Sequence, residues 1–163
     1  MYKLDSPEKF DNFFLDLSEK QTEQYSQYKE IIQVCTGGGC IACGSLNVRS
    51  QLAEKVEERG LAVKFLVKGT GCMGPCSKGP VVLMKKSGIF YENVQLADID
   101  SIIDQHLLGG TPVEKLLHHR DEDGLPIAKA ADIKFFNHQR KIVLRRCGTI
   151  DPLSIKDYIA TGG

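Results

Sequence analysis

The chain has 163 residues, of which 42% are hydrophobic and 26% charged, with 16 glycines and 6 prolines. That length suits one domain, or one domain with a long extension, and the composition excludes wholesale disorder, collagen and low-complexity fibre. Lys plus Arg number 21 and Asp plus Glu number 21, a balance that argues against nucleic acid as the main partner.

Ser6-Pro7-Glu8 predicts a helix start, a capping hydroxyl followed by a proline whose missing N–H costs nothing there. Phe10, Phe13, Phe14 and Leu17 follow at helical spacing, predicting a helix to about Tyr28. Ile31 to Val34 reads as a short buried strand ending at Cys35, and Thr36 to Gly44 as a glycine-rich loop. Ser45 opens a second helix with Gly60 as its stop. Leu61 to Val67 alternates as a strand and leads into a second glycine-rich loop, Lys68 to Pro80. Val81 to Met84 and Ile89 to Tyr91 read as a hairpin, and Leu96 to Leu107 as an amphipathic closing helix ended by Gly109-Gly110. Helix, then β-α-β, then β-β-α is the order of a thioredoxin-like α/β fold, a mixed sheet with helices on both faces.

Beyond Gly110 the pattern changes. Thr111-Pro112-Val113-Glu114 reads as a capping box, His119 to Gly124 as a polar linker, Ile142-Val143-Leu144 as a strand, and Asp151-Pro152 as a helix start. These fragments do not close a core of their own and read as the start of a second domain whose remainder is missing. The expected organisation is an N-terminal helical segment over 1–30, a core over 31–110, and a linker with an opening segment over 111–163. The first thirty residues carry four basic and seven acidic side chains, unlike a secretory leader. No apolar run approaches the roughly 18 residues of a membrane span, so the cytoplasm is the expected compartment.

The chemistry lies in six cysteines, Cys35, Cys40, Cys43, Cys72, Cys76 and Cys147. Clustered thiols in a reducing compartment are metal ligands or redox catalysts before they are structural disulfides. Three readings compete. Cys35, Cys40, Cys72 and Cys76 form a C-x4-C and a C-x3-C pair in two loops that leave neighbouring parallel strands, as four ligands of an iron–sulfur cluster would. Gly37-Gly38-Gly39 with Gly69, Gly71 and Gly74 would let the loops turn N–H groups inward. Zinc fits the spacing too, as the staple of an interaction domain, although zinc thiolates need less backbone cradling. The third reading is thiol–disulfide exchange by Cys40 and Cys43, a C-x-x-C just before a helix, with Gly79-Pro80 in the place of a cis-proline. Among the five clustered cysteines it leaves Cys35, Cys72 and Cys76 without a role, whereas the four-thiolate site leaves out only Cys43.

Two patterns are decoys. Cys35, Cys40, Cys43 and Cys72 also match plant-type ferredoxin spacing, but a helix after Ser45 interrupts the loop that spacing needs. Gly69-Thr70-Gly71-Cys72-Met73-Gly74 spells a dinucleotide fingerprint, but Pro75 and Gly79-Pro80 block the helix it requires. His118 and His119 read as solvated linker residues. Lys68 and Lys78 are candidates for offsetting cluster charge, and Lys134, Arg140, Lys141, Arg145 and Arg146 either protect a strand edge or dock an acidic partner.

Cys35-Thr-Gly-Gly-Gly-Cys40 and Gly69-Thr-Gly-Cys72-Met-Gly-Pro-Cys76-Ser-Lys-Gly-Pro80 resemble the thioredoxin-like [2Fe-2S] ferredoxins, over about residues 5 to 108. Lys141-Ile-Val-Leu-Arg-Arg-Cys147-Gly-Thr-Ile-Asp151-Pro152 resembles the opening of the flavoprotein subunit of NADH dehydrogenase. Together they resemble the fused subunit of NADH-dependent, electron-bifurcating [FeFe] hydrogenases. The resemblance implies Cys35, Cys40, Cys72 and Cys76 as ligands of a [2Fe-2S] cluster, with Cys43 a departure from the pattern and Cys147 structural. It implies electron exchange with flavin, neighbouring iron–sulfur clusters or other redox subunits, with a homo-oligomer possible. FMN and NADH would be bound only beyond Gly163, so the chain by itself would be an electron-transfer module with no catalytic residue of its own.

Overall fold

The computed structural model describes residues 5–162; residues 1–4 of the expected N-terminal segment and Gly163 of the expected tail lie outside them. Helix α1 (Pro7–Ser26) starts where Ser6 accepts a hydrogen bond from the Lys9 N–H. None of its residues is buried, so it rides on the rim of the fold. The central strand β1 (Glu30–Cys35) is buried along its whole length. A short helix α2 (Gly38–Ala42) and helix α3 (Ser45–Glu58) follow, joined by Gly44 at φ 88°, a conformation suited to glycine.

Strand β2 (Phe65–Thr70) pairs parallel with β1, while β3 (Val82–Met84) and β4 (Phe90–Tyr91) continue the sheet antiparallel in the order β2-β1-β3-β4. The crossover through α3 buries Val48, Leu52 and Val56 against Ile32, Val34 and Phe65. Helix α4 (Ile99–Ser101) runs on as a π-helix over Ile102–Leu108 and seals the core with Ile99, Ile102, Ile103 and Leu107. The thioredoxin-like α/β architecture expected from the element order is the observed one.

Several local expectations are corrected. The first cysteine loop contains α2 instead of being irregular throughout. Strand β2 starts at Phe65, not Leu61, because Leu61 accepts from the N–H groups of Lys64 and Phe65 in the turn leaving α3. Val63 is accordingly exposed. The capping box at Thr111 does not form: the Thr111 N–H donates back to Gln105, and the following 3-10 turn begins at Glu114 after buried Val113.

The expected polar linker holds a small hairpin, β5 (His118–His119) with β6 (Pro126–Ile127). His118 is no solvated bystander, since its Nδ1 lies 2.8 Å from the carboxylate of buried Glu92. Ile142, Val143 and Leu144 form no strand; they lie exposed in turns closed by local bonds such as Cys147 N–H to Leu144 O. A β-prone triplet without a neighbouring strand has no ladder to join. After the short helix α5 (Lys134–Asn137), helix α6 (Ile155–Ala160) begins four residues past Asp151, capped by Ser154.

Residues beyond 110 pack on the core. Lys68 of β2 and Asp157 of α6 form a 2.6 Å ion pair in which each side chain is only 10% exposed. Tyr25 Oη accepts from the same ammonium at 2.7 Å, and Gln21 donates to Asp157 at 2.8 Å. Burial alone would depress the Lys68 ammonium, but its bonds to Asp157 and Tyr25 raise it above the usual lysine value. Burial likewise pushes the Asp157 carboxyl up, and hydrogen bonds from the Asp151 N–H, Lys68 and Ser154 overcome it, leaving the group below the usual carboxylate range. Lys68 is therefore committed to Asp157 and is not available to offset charge in the cysteine loops, as its place in the sequence had suggested. Lys78 faces Glu92 at 3.7 Å.

Candidate metal centre

The register of β1 on β2 puts Cys35 directly opposite Thr70. Both strands therefore end at the same level, and the two cysteine loops leave one end of the sheet together. The turn is fixed by Thr36, whose N–H and hydroxyl both donate to the Thr70 carbonyl, at 2.8 and 2.9 Å. Cys35 ends the buried strand and Cys40 sits on the inner face of α2, so both are essentially inaccessible. Met73, Val81, Phe90 and Ile133 complete an apolar wall around them. Cys72 is half-buried and Cys76 exposed, and their sulfurs lie 3.9 Å apart.

The thiols perturb one another. Burial foremost pushes Cys40 up to about 12; a backbone hydrogen bond from Val81 opposes this, while the neighbouring sulfur of Cys35 and the charge of Cys76 add to it. Cys76 is raised by its hydrogen bond with Cys72, then by the charges of Cys72 and Cys35. Cys76 thus feels Cys72, Cys35 and Cys40, and Cys40 feels Cys35, which links the four thiols into one cluster. Four thiolates crowded this way repel unless a cation lies among them. Among the described residues no three His, Cys, Asp or Glu side chains are drawn tightly enough to hold a single metal ion. Two pairs of sulfurs at the ends of one site suit a two-iron group, in which each iron takes two thiolates.

Glycine makes this proximity possible at specific points. A Cβ on Gly37 would stand 2.9 Å from the Cys72 Cβ, and one on Gly39 would stand 3.1 Å from the Cys76 Cβ. One on Gly79 would meet the Cys40 sulfur at 2.9 Å. The space around the sulfurs of Cys40, Cys72 and Cys76 is therefore kept by missing side chains, and with buried Cys35 beside Cys40 the donor set fits a two-iron group. Gly38, between the two critical glycines, faces nothing within 4 Å. Gly79 was not singled out as a contact in the sequence; the only signal was its place before Pro80, with which it forms a cis peptide bond.

Cys43 lies exposed at the C-terminal end of α2, its N–H bonded to the Gly39 and Cys40 carbonyls. Cys40 is buried while Cys43, just past the end of the helix, is exposed, so the C-x-x-C reading has one residue inside and the other at the surface. Cys147 is half-buried beside the second loop, its Cα 3.8 Å from where a Gly71 Cβ would be.

Sequence comparison assigns the class. Residues 20–107 match the thioredoxin-like [2Fe-2S] ferredoxin family, and the chain belongs to it. A [2Fe-2S] cluster is the cofactor that goes with that membership.

Among its relatives, a 2Fe-2S ferredoxin of Aquifex aeolicus is 38% identical over 81 residues, covering 49% of this chain and 73% of the relative. One from Clostridium pasteurianum is 32% identical over 96 residues, covering 54% of this chain and 94% of the relative. The crystal structure of the wild-type thioredoxin-like [2Fe-2S] ferredoxin from Aquifex aeolicus superposes with a TM-score of 0.53 at 31% identity, covering 57% of this chain and 99% of that one. No helix among the described residues is long and apolar enough to cross a membrane.

Proposed function

We propose that this chain is a one-electron carrier whose Cys35, Cys40, Cys72 and Cys76 hold a [2Fe-2S] cluster, and that it serves as the N-terminal module of an NADH-linked flavin and iron–sulfur oxidoreductase. The observation that carries the ligand assignment is the convergence of these cysteines at one end of the sheet, with glycines clearing the space at Cys40, Cys72 and Cys76. When bound, the cluster supplies reversible one-electron reduction, on the order of −400 mV if plant-type centres are a guide. Cys35 and Cys40 hold their side of the site out of water, while Cys72 and Cys76 lie on its accessible side. Electrons would therefore pass at the Cys72–Cys76 edge. No proton donor or substrate pocket is needed for such a role.

The NADH link rests on the likeness of residues 141–152 to a flavoprotein opening. A hydride carries two electrons and the proposed centre holds one, so a flavin must intervene. Other redox subunits carrying flavin or iron–sulfur clusters are the proposed partners. The test is an anaerobic reconstitution of the chain. Iron and sulfide should each approach two per chain, and dithionite should generate a rhombic paramagnetic signal that NADH alone does not. Four irons and four sulfides would indicate a cubane instead, and a colourless zinc protein would remove the electron-carrier reading altogether. Bleaching by NADH without added flavin would refute the modular division of labour.

A further inference from the structure

The family match ends at residue 107, yet residues 133–150 lie against the second cysteine loop at three points. The Phe135 ring occupies the space a Gly74 side chain would need. The Gly71 N–H and the Thr70 hydroxyl both donate to the Ile150 carbonyl, at 3.2 and 3.1 Å. The third contact is charged: the Lys141 ammonium donates to the carbonyls of Met73 at 3.3 Å and Cys147 at 3.4 Å. It thereby ties the residue next to Cys72 to the far limb of its own segment. Both acceptors are neutral, and among the described residues Lys141 makes no ion pair, unlike Lys68 and Lys78. An uncompensated, half-buried positive charge therefore borders the loop that carries Cys72 and Cys76.

We propose that Lys141 is a positioning residue for the redox centre: it pins the second cysteine loop, and its charge raises the reduction potential of the group held by the four cysteines. The inference rests on the electron-carrier reading. Reduction adds one electron and hence one negative charge at the site, with no bond made or broken. A fixed positive charge nearby favours the more negative state, and half-burial limits its screening by salt.

The test is a dithionite redox titration of the reconstituted chain, comparing wild type with Lys141→Met, Lys141→Gln, Lys141→Arg and Lys64→Met. Lys64 is exposed and precedes β2 at the opposite end from the loops, so its variant removes the same charge at a distance. Lys141→Met should shift the midpoint to more negative potential, lowering the reduction equilibrium constant severalfold. Lys141→Arg should restore most of the shift, and Lys64→Met should titrate as wild type. In the metal-free chain, Lys141→Met should speed amide hydrogen exchange over 71–76 and leave 36–44 unchanged. If Lys141→Met takes up no iron, Lys141→Gln is titrated in its place. A wild-type midpoint in the neutral variant, or an equal shift in Lys64→Met, overturns the proposal. A wild-type chain that assembles no two-iron centre overturns the electron-carrier reading instead, and the pinning then stands or falls on the exchange rates.

Discussion

The two cysteine loops do the same work by different means. The first is internally organised: α2 closes on itself, and Cys35 and Cys40 are buried by the core. The second has only one 3-10 turn, Cys76–Lys78, and draws its support from outside, through Phe135, Lys141 and Ile150 of the segment that follows the family domain. A loop that buries its own ligands needs little else, whereas an exposed one must borrow neighbours. The difference also predicts where a partner approaches, since a site walled by the core on one side can exchange electrons only on the other.

The largest effects should come from the ligands. Replacing Cys35, Cys40, Cys72 or Cys76 by Ala should abolish or strongly weaken iron binding, read from the visible spectrum and iron content. Cys43→Ala and Cys147→Ala should retain both. Bleaching by Cys43→Ala with colour kept in Cys40→Ala would mean that the first loop uses the other thiol.

Next come the clearances between the loops. Gly37→Ala places a methyl 2.9 Å from the Cys72 Cβ, a distance at which backbone must move, so most of the bound iron should be lost. Gly38→Ala, with open space around it, should load normally. Equal loading of the two variants would show that the loops do not need to approach as closely as drawn.

A third experiment loosens the support of the second loop alone. Lys68→Met leaves Asp157 buried without its cation, a change costing about 3 kcal/mol. It should be seen as a lower denaturation midpoint and faster hydrogen exchange in α6 and residues 71–76, with 36–44 little affected.

The smallest effect is one of pH. Asp157 titrates below its ordinary value of 3.8 in the folded chain, so its contribution to stability is complete above that value and is lost as pH falls through the lower, folded value. Wild type should therefore lose more stability than Asp157→Asn on acidification from about pH 5. Parallel acid profiles for the two would remove Asp157 as the clasp.

The order of elements and the ligand loops were legible from local signals. A short apolar run marked β1, apolar residues at helical period marked α3 and the closing helix, and glycines beside paired cysteines marked the two loops. Cys43 could not be excluded on spacing alone, because residues three apart share a face of a helix; only the packing in the folded chain buries Cys40 and leaves Cys43, just past the end of α2, exposed. The tail was misread for a related reason. Ile142-Val143-Leu144 has strand-like composition, and whether such a triplet pairs depends on a free sheet edge that no local pattern reveals.

Gln33 and Thr70 carried an overlooked signal. Both are polar side chains in buried strand positions, and buried polar groups must find partners. Their partners are the carbonyls of Thr149 and Ile150, more than seventy residues further along the chain. The sequence by itself determined the thioredoxin-like order of strands and helices and the two cysteine pairs, because period, glycine and spacing act within a few residues. Only the tertiary structure decided which glycines must lack a side chain, that Lys68 belongs to Asp157, and that Lys141 reaches the second loop. Those are distances between segments remote in sequence, and they are set by how the sheet aligns its ends and how the chain folds back across them.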